Sequence, residues 1–183
     1  MKHALVIGGT GMLSGVSIWL IDNGYHVSII ARDAEKMKQL QKEASSSSQL
    51  TPLLVDYRNN DKLIEKLKVT IKQNGEINIV VAWIHSIAEN ALQSIISEVS
   101  KESNSWELFH ILGSRSNLEE IKNKLAAPSS IAYYQVQLGF KTAGSQSRWL
   151  THREISEGVI ENIKKKKQVL IVGQVEPWGN RPN

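Results

Sequence analysis

Short apolar runs alternate along this chain with longer stretches whose apolar positions recur every three or four residues. The first pattern predicts buried strands and the second amphipathic helices. Residues 4–7 (ALVI) are the first run. Leu13, Val16, Trp19 and Leu20 then mark a helix that stops at Asn23-Gly24. Residues 26–31 (HVSIIA) predict a second strand, and Asp33 is placed to cap a helix carrying Met37 and Leu40. A third strand at 53–55 precedes a helix through Leu63, Leu67 and Ile71 that ends near Asn74-Gly75. Residues 77–83 (INIVVAW) are almost wholly apolar, as in a strand covered on both faces. A helix over 88–99 follows, with Ile87, Leu92, Ile95, Ile96 and Val99 apolar, then a strand at 108–112. Ser116-Asn117-Leu118-Glu119 predicts a capping box and a short helix, and 131–138 a strand. Residues 139–150 form the longest irregular stretch. A second capping box, Thr151-His152-Arg153-Glu154, opens a helix through Ile155, Val159 and Ile163, and 168–172 predict the last strand.

Seven strands alternating with six helices predict an α/β chain of Rossmann type, a doubly wound parallel sheet with helices on both faces. Residues 1–183 read as a single domain without linker or repeat. In such a sheet, ligands bind at the carboxyl edge of the strands, so the turns after each strand are where chemistry is expected.

The first of those turns is glycine-rich: Gly8-Gly9-Thr10-Gly11-Met12-Leu13-Ser14-Gly15. It fits G-x-G-x-x-G/A from Gly9, with Ser14 in the third place, and G-x-x-G-x-x-G from Gly8. Small residues let the chain turn sharply, let a pyrophosphate approach the N–H groups of the helix start, and let helix and strand pack closely. A tight turn without ligand needs fewer glycines than this, so a dinucleotide is the better explanation.

The second strand ends Ile30-Ala31-Arg32-Asp33. Arg32 stands where enzymes using NAD carry an acidic residue for the ribose, and a guanidinium there can grip a 2′-phosphate. NADP(H) is therefore favoured over NAD(H). Asp33 competes for a ribose contact but suits a helix cap, and Arg32 also reads as a plain surface arginine. Asp56-Tyr57 follows the third strand, beside the expected adenine or simply in a loop.

Composition narrows the setting. The chain has no cysteine, which excludes disulfides, a thiolate nucleophile and thiolate-bound metal, and suits a reducing cytoplasm. No metal site is expected. No apolar window approaches the ~18 residues of a membrane span, and the start of the chain lacks a signal segment, so a soluble cytoplasmic protein is expected. The net charge is +4 and the pI about 9.2. The lysines, including the run 164–167, are dispersed on helix faces, which argues against nucleic acid.

These residues resemble the short-chain dehydrogenase/reductase superfamily, and its atypical members more closely. The resemblance rests on the GGTGML turn, on Ala31-Arg32-Asp33 and on Val55-Asp56, with AWIHS and RWLTHREIS similar to small bacterial short-chain dehydrogenase-like proteins. It implies that Gly8, Gly9, Thr10, Gly11, Met12 and Leu13 hold a pyrophosphate and that Arg32 holds a 2′-phosphate. It further implies that Asp56 meets the adenine amino group with Tyr57 beside it, and that Ala82, Trp83 and Ile84 flank the ribose in place of the family's Asn-Asn-Ala-Gly. The implied activity is hydride transfer to or from a small carbonyl or alcohol, in a family that often forms homo-oligomers.

The catalytic part departs from the family. Ser114 matches the serine after the fifth strand, but the helix that follows has no tyrosine, so Tyr-x-x-x-Lys is absent. Ser114 and His85 are the candidates for proton handling, each with a plain loop or capping role as the alternative. Tyr133 and Tyr134 point to opposite faces of a strand, and Lys141 and Arg148 are candidates for an anion or for solvent. Trp149 and Pro177-Trp178 read as packing or interface residues. Without the tyrosine–lysine pair, a non-catalytic NADP(H) sensor or regulator stands as the rival to an oxidoreductase, and a scaffold with a vestigial site is weaker.

Overall fold

The computed structural model describes residues 1–85 and 88–183, without the side chain of Glu89. Ser86 and Ile87, the latter among the predicted apolar positions, lie outside the described residues. In chain order the elements are β1 (Lys2–Ile7), α1 (Ser14–Asp22), β2 (Tyr25–Ala31), α2 (Ala34–Glu43), β3 (Leu50–Leu54), α3 (Asn60–Asn74) and β4 (Ile77–Ala82). Then come α4 (Glu89–Glu102), β5 (Trp106–Leu112), α5 (Leu118–Leu125), β6 (Ile131–Leu138), β7 (Phe140–Ala143), β8 (Gln146–Trp149), α6 (His152–Lys165) and β9 (Val169–Val172). Seven strands pair in the order β3-β2-β1-β4-β5-β6-β9, and every pairing within that sheet is parallel. Crossing from β3 back to β1 and then outward to β4 creates the switch point of a Rossmann sheet, beside the glycine turn.

The period-two alternation of the strands divides the core. Ala4 and Val6 join Val16, Leu20, Val159 and Ile163 on the face covered by α1 and α6. Leu5 and Ile7 join Leu63, Leu67, Ile95 and Val99 on the face covered by α3 and α4. Both faces are apolar because each carries helices, which is why β4 shows no polar stripe. A polar network interrupts this core. His3 bonds through its ring to the Gly75 carbonyl (2.8 Å) and Ser28 Oγ (2.7 Å), and Ser28 Oγ meets Thr70 Oγ1 at 2.6 Å. It lies at the amino edge of the sheet, opposite the candidate site, and burial pushes the His3 pKa down.

Three expectations need correction. The irregular stretch 139–150 contains an antiparallel hairpin, with Ala143 opposite Gln146 across Gly144-Ser145. Gly144 takes φ +64°, the left-handed value that a two-residue hairpin turn with glycine first requires. The cap of α5 is Asn117, whose side chain accepts from Glu120 N at 3.1 Å, and not Ser116. Ser116 is held in the preceding turn, its N–H donating to the Gly113 carbonyl. The third strand begins at Leu50 and contains Pro52, which an outermost strand tolerates because one of its sides is unpaired. The Thr151–Glu154 capping box is present in both directions, and the Asp33 side chain caps α2 through Glu35 N and Lys36 N.

The hairpin is tied down electrostatically. Glu154, besides its capping role, pairs with Arg148 (2.7 Å) and with Lys141. Hydrogen bonds from Arg148, then Lys141, hold its carboxyl well below the usual range. Both basic residues that were candidates for an anion are therefore engaged with an internal carboxylate.

Candidate functional site

Parallel pairing sends the ends of β1, β2, β3, β4 and β5 to one edge, and most of the predicted site residues follow those ends. After β1, Gly8 has φ +89°, a value that other residues rarely adopt, and its carbonyl accepts from Gly11 N and Leu13 N at 3.3 Å each. Gly9 has a different task. A Cβ on it would lie 2.7 Å from Ser17 Oγ and 2.9 Å from Ile29 Cγ2, so its bareness lets α1 close onto β2. That close-packing role was expected of Ser14. Gly15 allows a further approach, since a Cβ there would sit 2.8 Å from Ser156 Cβ on α6. Ser156 also donates to the Met12 carbonyl at 2.8 Å, which fixes the turn from the side.

Gly11 is unlike the others, for a Cβ on it would meet no protein atom within 4 Å. No internal contact explains a glycine here. Behind it, the cap position of α1 is Leu13, a buried apolar residue that gives the helix no side-chain cap. Four other helices have one, from Asp33, Asn59, Asn117 and Thr151. An open glycine in front of an uncapped helix start fits a pyrophosphate, whose oxygens take up the free N–H groups and the positive end of the dipole.

At the end of β2, Arg32 is 67% exposed and reaches Asp56 of the β3 turn only loosely, at 3.8 Å. Asp56 is held more firmly by Arg58, a residue that the sequence reading did not single out. The Arg58 Nη2 donates to Asp56 Oδ2 at 2.7 Å and its Nε to both carboxylate oxygens. These bonds hold the Asp56 pKa down at about 2. Two guanidiniums thus flank one carboxylate, leaving a net positive corner. Asp-x-Arg, with the arginine N–H also turned onto the aspartate (3.0 Å), is a local turn signal that could have revealed Arg58. Tyr57 packs against the core, and its hydroxyl accepts from the His85 backbone N–H at 3.1 Å, linking the turns after β3 and β4.

Ala82 ends β4 fully buried, whereas Trp83 and Ile84 are half-buried. Trp83 donates its N–H to the Ile7 carbonyl, and its side chain lies over Gly8 and toward Gly113, spanning the ends of three neighbouring strands. Beside it a cavity of about 320 Å³ opens, lined among others by Trp83, His85, His110, Gly113 and Ser116. His85 is exposed at its mouth. His110, on β5, is buried; its Nδ1 pairs with the Tyr133 hydroxyl at 2.7 Å, which also accepts from Gln135 Nε2. Burial lowers the His110 pKa to about 4 and raises that of Tyr133 to about 12. Tyr134, on the other face, stacks on Phe109 at 4.8 Å.

Ser114 sits in the turn after β5. The buried Gln137 of β6 positions this turn by donating toward the carbonyls of Gly113, Ser114 and Ser116 (3.2–3.4 Å). Ser114 Oγ accepts from Arg181 Nη2 at 2.6 Å. Because the arginine can only donate, the serine O–H proton stays available to a third group. Trp149 packs edge-on against Phe140 within the hairpin, and Trp178 lies under Arg181.

No helix among the described residues is long and apolar enough to cross a membrane. No group of described residues is arranged to hold a metal ion. No protein-family model matches the chain, and no curated protein does. Solved structures do match its fold. A short-chain dehydrogenase/reductase from Serratia marcescens superposes with a TM-score of 0.73 at 14% identity, covering 94% of this chain and 96% of that one. A short-chain dehydrogenase/reductase of glucose/ribitol dehydrogenase type from Brucella melitensis gives 0.73 at 10% identity, covering 94% of each chain. An actinorhodin polyketide ketoreductase variant, solved with NADPH, gives 0.72 at 14% identity, covering 94% and 95%. The chain has the fold of the short-chain dehydrogenases/reductases, a seven-stranded Rossmann sheet with helices on both faces.

Proposed function

We propose that this chain binds NADP(H) and transfers a hydride to or from a small carbonyl or alcohol. The observation that carries the proposal is the row of features along the carboxyl edge. It runs from the Arg32–Asp56–Arg58 corner, past the open Gly11 and uncapped α1, to the cavity beside Trp83. Gly8 to Leu13 hold the pyrophosphate. Arg32, reinforced by Arg58, meets the 2′-phosphate, and Asp56 with Tyr57 borders the adenine. Bound NADPH supplies a hydride to a carbonyl carbon, and the carbonyl oxygen then requires one proton. Ser114, its oxygen already accepting from Arg181, donates its O–H toward that oxygen. The exposed His85 imidazole exchanges the proton with solvent.

Fluorescence titrations with NADPH and NADH test this, since the ring of Trp83 lies over the turn. NADPH should bind at least ~10-fold more tightly than NADH, about the value of one charge-assisted contact. Arg32→Glu should erase that preference by weakening NADPH while changing NADH little; equal loss of both would remove Arg32 from the site. One observation favours a second reading: α5 (LEEIKNKL) contains no tyrosine, so the proton-relay pair of the family has no counterpart there. Tight NADPH binding without turnover of any carbonyl compound would point to a redox-sensing protein. No binding of either nucleotide would reject both readings.

A further inference from the structure

The end of the chain returns to the candidate site. After β9, Gly173 turns the backbone with φ +75°, and Gln174 pairs in both directions with Phe140 at the base of the hairpin. A short turn over Trp178–Asn180 follows, and it brings Arg181 against Ser114, 67 positions away in sequence. The guanidinium carbon stands 3.5 Å from the centroid of the Trp178 ring. Nη2 bonds to Ser114, but Nε and Nη1 are buried without a hydrogen-bond partner.

A guanidinium keeps its charge and has five N–H donors with no acceptor. Burying such donors unpaired is costly, and native structures rarely leave them so without a reason. Here the nearby charge is another cation, Arg115. Desolvation, with a smaller contribution from Arg115, lowers the pKa of Arg181. The Lys141 and Arg148 cations of the hairpin are neutralised by Glu154, whereas Arg181 is left facing a serine hydroxyl and an aromatic ring. The tail therefore carries a charged, partly unsatisfied donor group to the very side chain that handles the substrate oxygen.

We propose that Arg181 is the anion-recognition residue of this edge, and that it grips the carboxylate of a small oxo or hydroxy acid whose reacting oxygen lies on Ser114. The inference rests on the hydride-transfer reading of the site and adds the substrate class. A planar carboxylate matches one guanidinium, and in a 2- or 3-oxo acid only one or two bonds separate the carboxylate carbon from the carbonyl carbon. That spacing suits two protein groups that touch each other, as Ser114 and Arg181 do.

Arginine Nε–H resonances of the ¹⁵N-labelled full chain report on this directly. Acetoacetate and its uncharged ethyl ester are titrated separately at constant ionic strength, without nucleotide. One Nε–H signal, identified by its loss in Arg181→Lys, should shift saturably with acetoacetate and not with the ester. Arg181→Gln should weaken acetoacetate at least ~10-fold, with Arg181→Lys between it and the unsubstituted protein. An unmoved signal, an equal response to the ester, or a response to inorganic phosphate alone would overturn the proposal; the unsubstituted protein suffices for that comparison if a variant fails to fold. A parallel NADPH titration separates the two claims. If acetoacetate shifts the Arg181 signal but NADPH does not bind, the anion site stands and the hydride-transfer reading falls.

Discussion

Gly11→Ala is expected to leave stability within about 1 kcal/mol of the unsubstituted protein while weakening NADPH at least ~10-fold. A methyl group at this position meets no protein atom within 4 Å, and Gly11 is not among the glycines with positive φ. Alanine therefore fits the backbone and even restricts the unfolded chain slightly. What it occupies is the space in front of the first turn of α1, where the pyrophosphate must come close to N–H groups. Gly9→Ala is the counterpart. Its methyl would stand 2.7 Å from Ser17 Oγ and 2.9 Å from Ile29 Cγ2, inside a packed core, and overpacking of that kind costs about 1–3 kcal/mol. Thermal melts and NADPH titrations on the two variants should thus give opposite profiles. If Gly11→Ala bound NADPH normally, the turn would not be the pyrophosphate site.

Stability should fall on mild acidification, chiefly through His110. In the unfolded chain this imidazole takes up its proton near pH 6.5, whereas burial against Tyr133 holds it neutral in the fold down to about pH 4. Between those values the unfolded state binds the extra proton, so stability is fully present above pH 6.5 and declines as the pH drops toward 4. A shift of that size corresponds to about 3 kcal/mol. His3 is displaced in the same direction and adds to the slope. Urea melts at pH 7, 5.5 and 4.5 would measure it. His110→Gln cannot titrate, keeps a polar group beside the Tyr133 hydroxyl, and should flatten the dependence by close to one proton. An unchanged slope would mean that His110 is already protonated in the folded protein.

Much of the site could be read before folding because it is local in sequence. The glycine turn spans Gly8 to Gly15, Arg32 ends an apolar run, and the Asp33 and Thr151 caps are signalled by residues within three positions. The hairpin over 140–149 also had its signal, Gly144-Ser145 between short alternating segments, but flanking lysine and arginine made the stretch look like loop. The close packing expected at Ser14 also involves two glycines that the sequence did not mark for it. Which small residue faces a neighbour depends on how the helix is rolled, and α1 presents Gly15 to α6 while Gly9 faces Ser17. Gln137 and Arg181 were beyond reach, since nothing near them in sequence announces that one braces and the other covers the turn holding Ser114. His110 and Tyr133 meet only because β5 and β6 pair in register, with Leu108 opposite Tyr133 and His110 opposite Gln135.

The two outer strands also govern how the molecules meet one another. β3 has Pro52 at its centre, a residue with no N–H to offer a passing strand. β9, at the other margin, runs for only four residues between Gln168 and Gly173, one residue after a run of four lysines, although Val169 and Ile171 are exposed there. Short length and adjacent like charge are the usual guards against strand-to-strand growth. The two open margins of the sheet are thus screened from sticking to copies of themselves when the protein is concentrated.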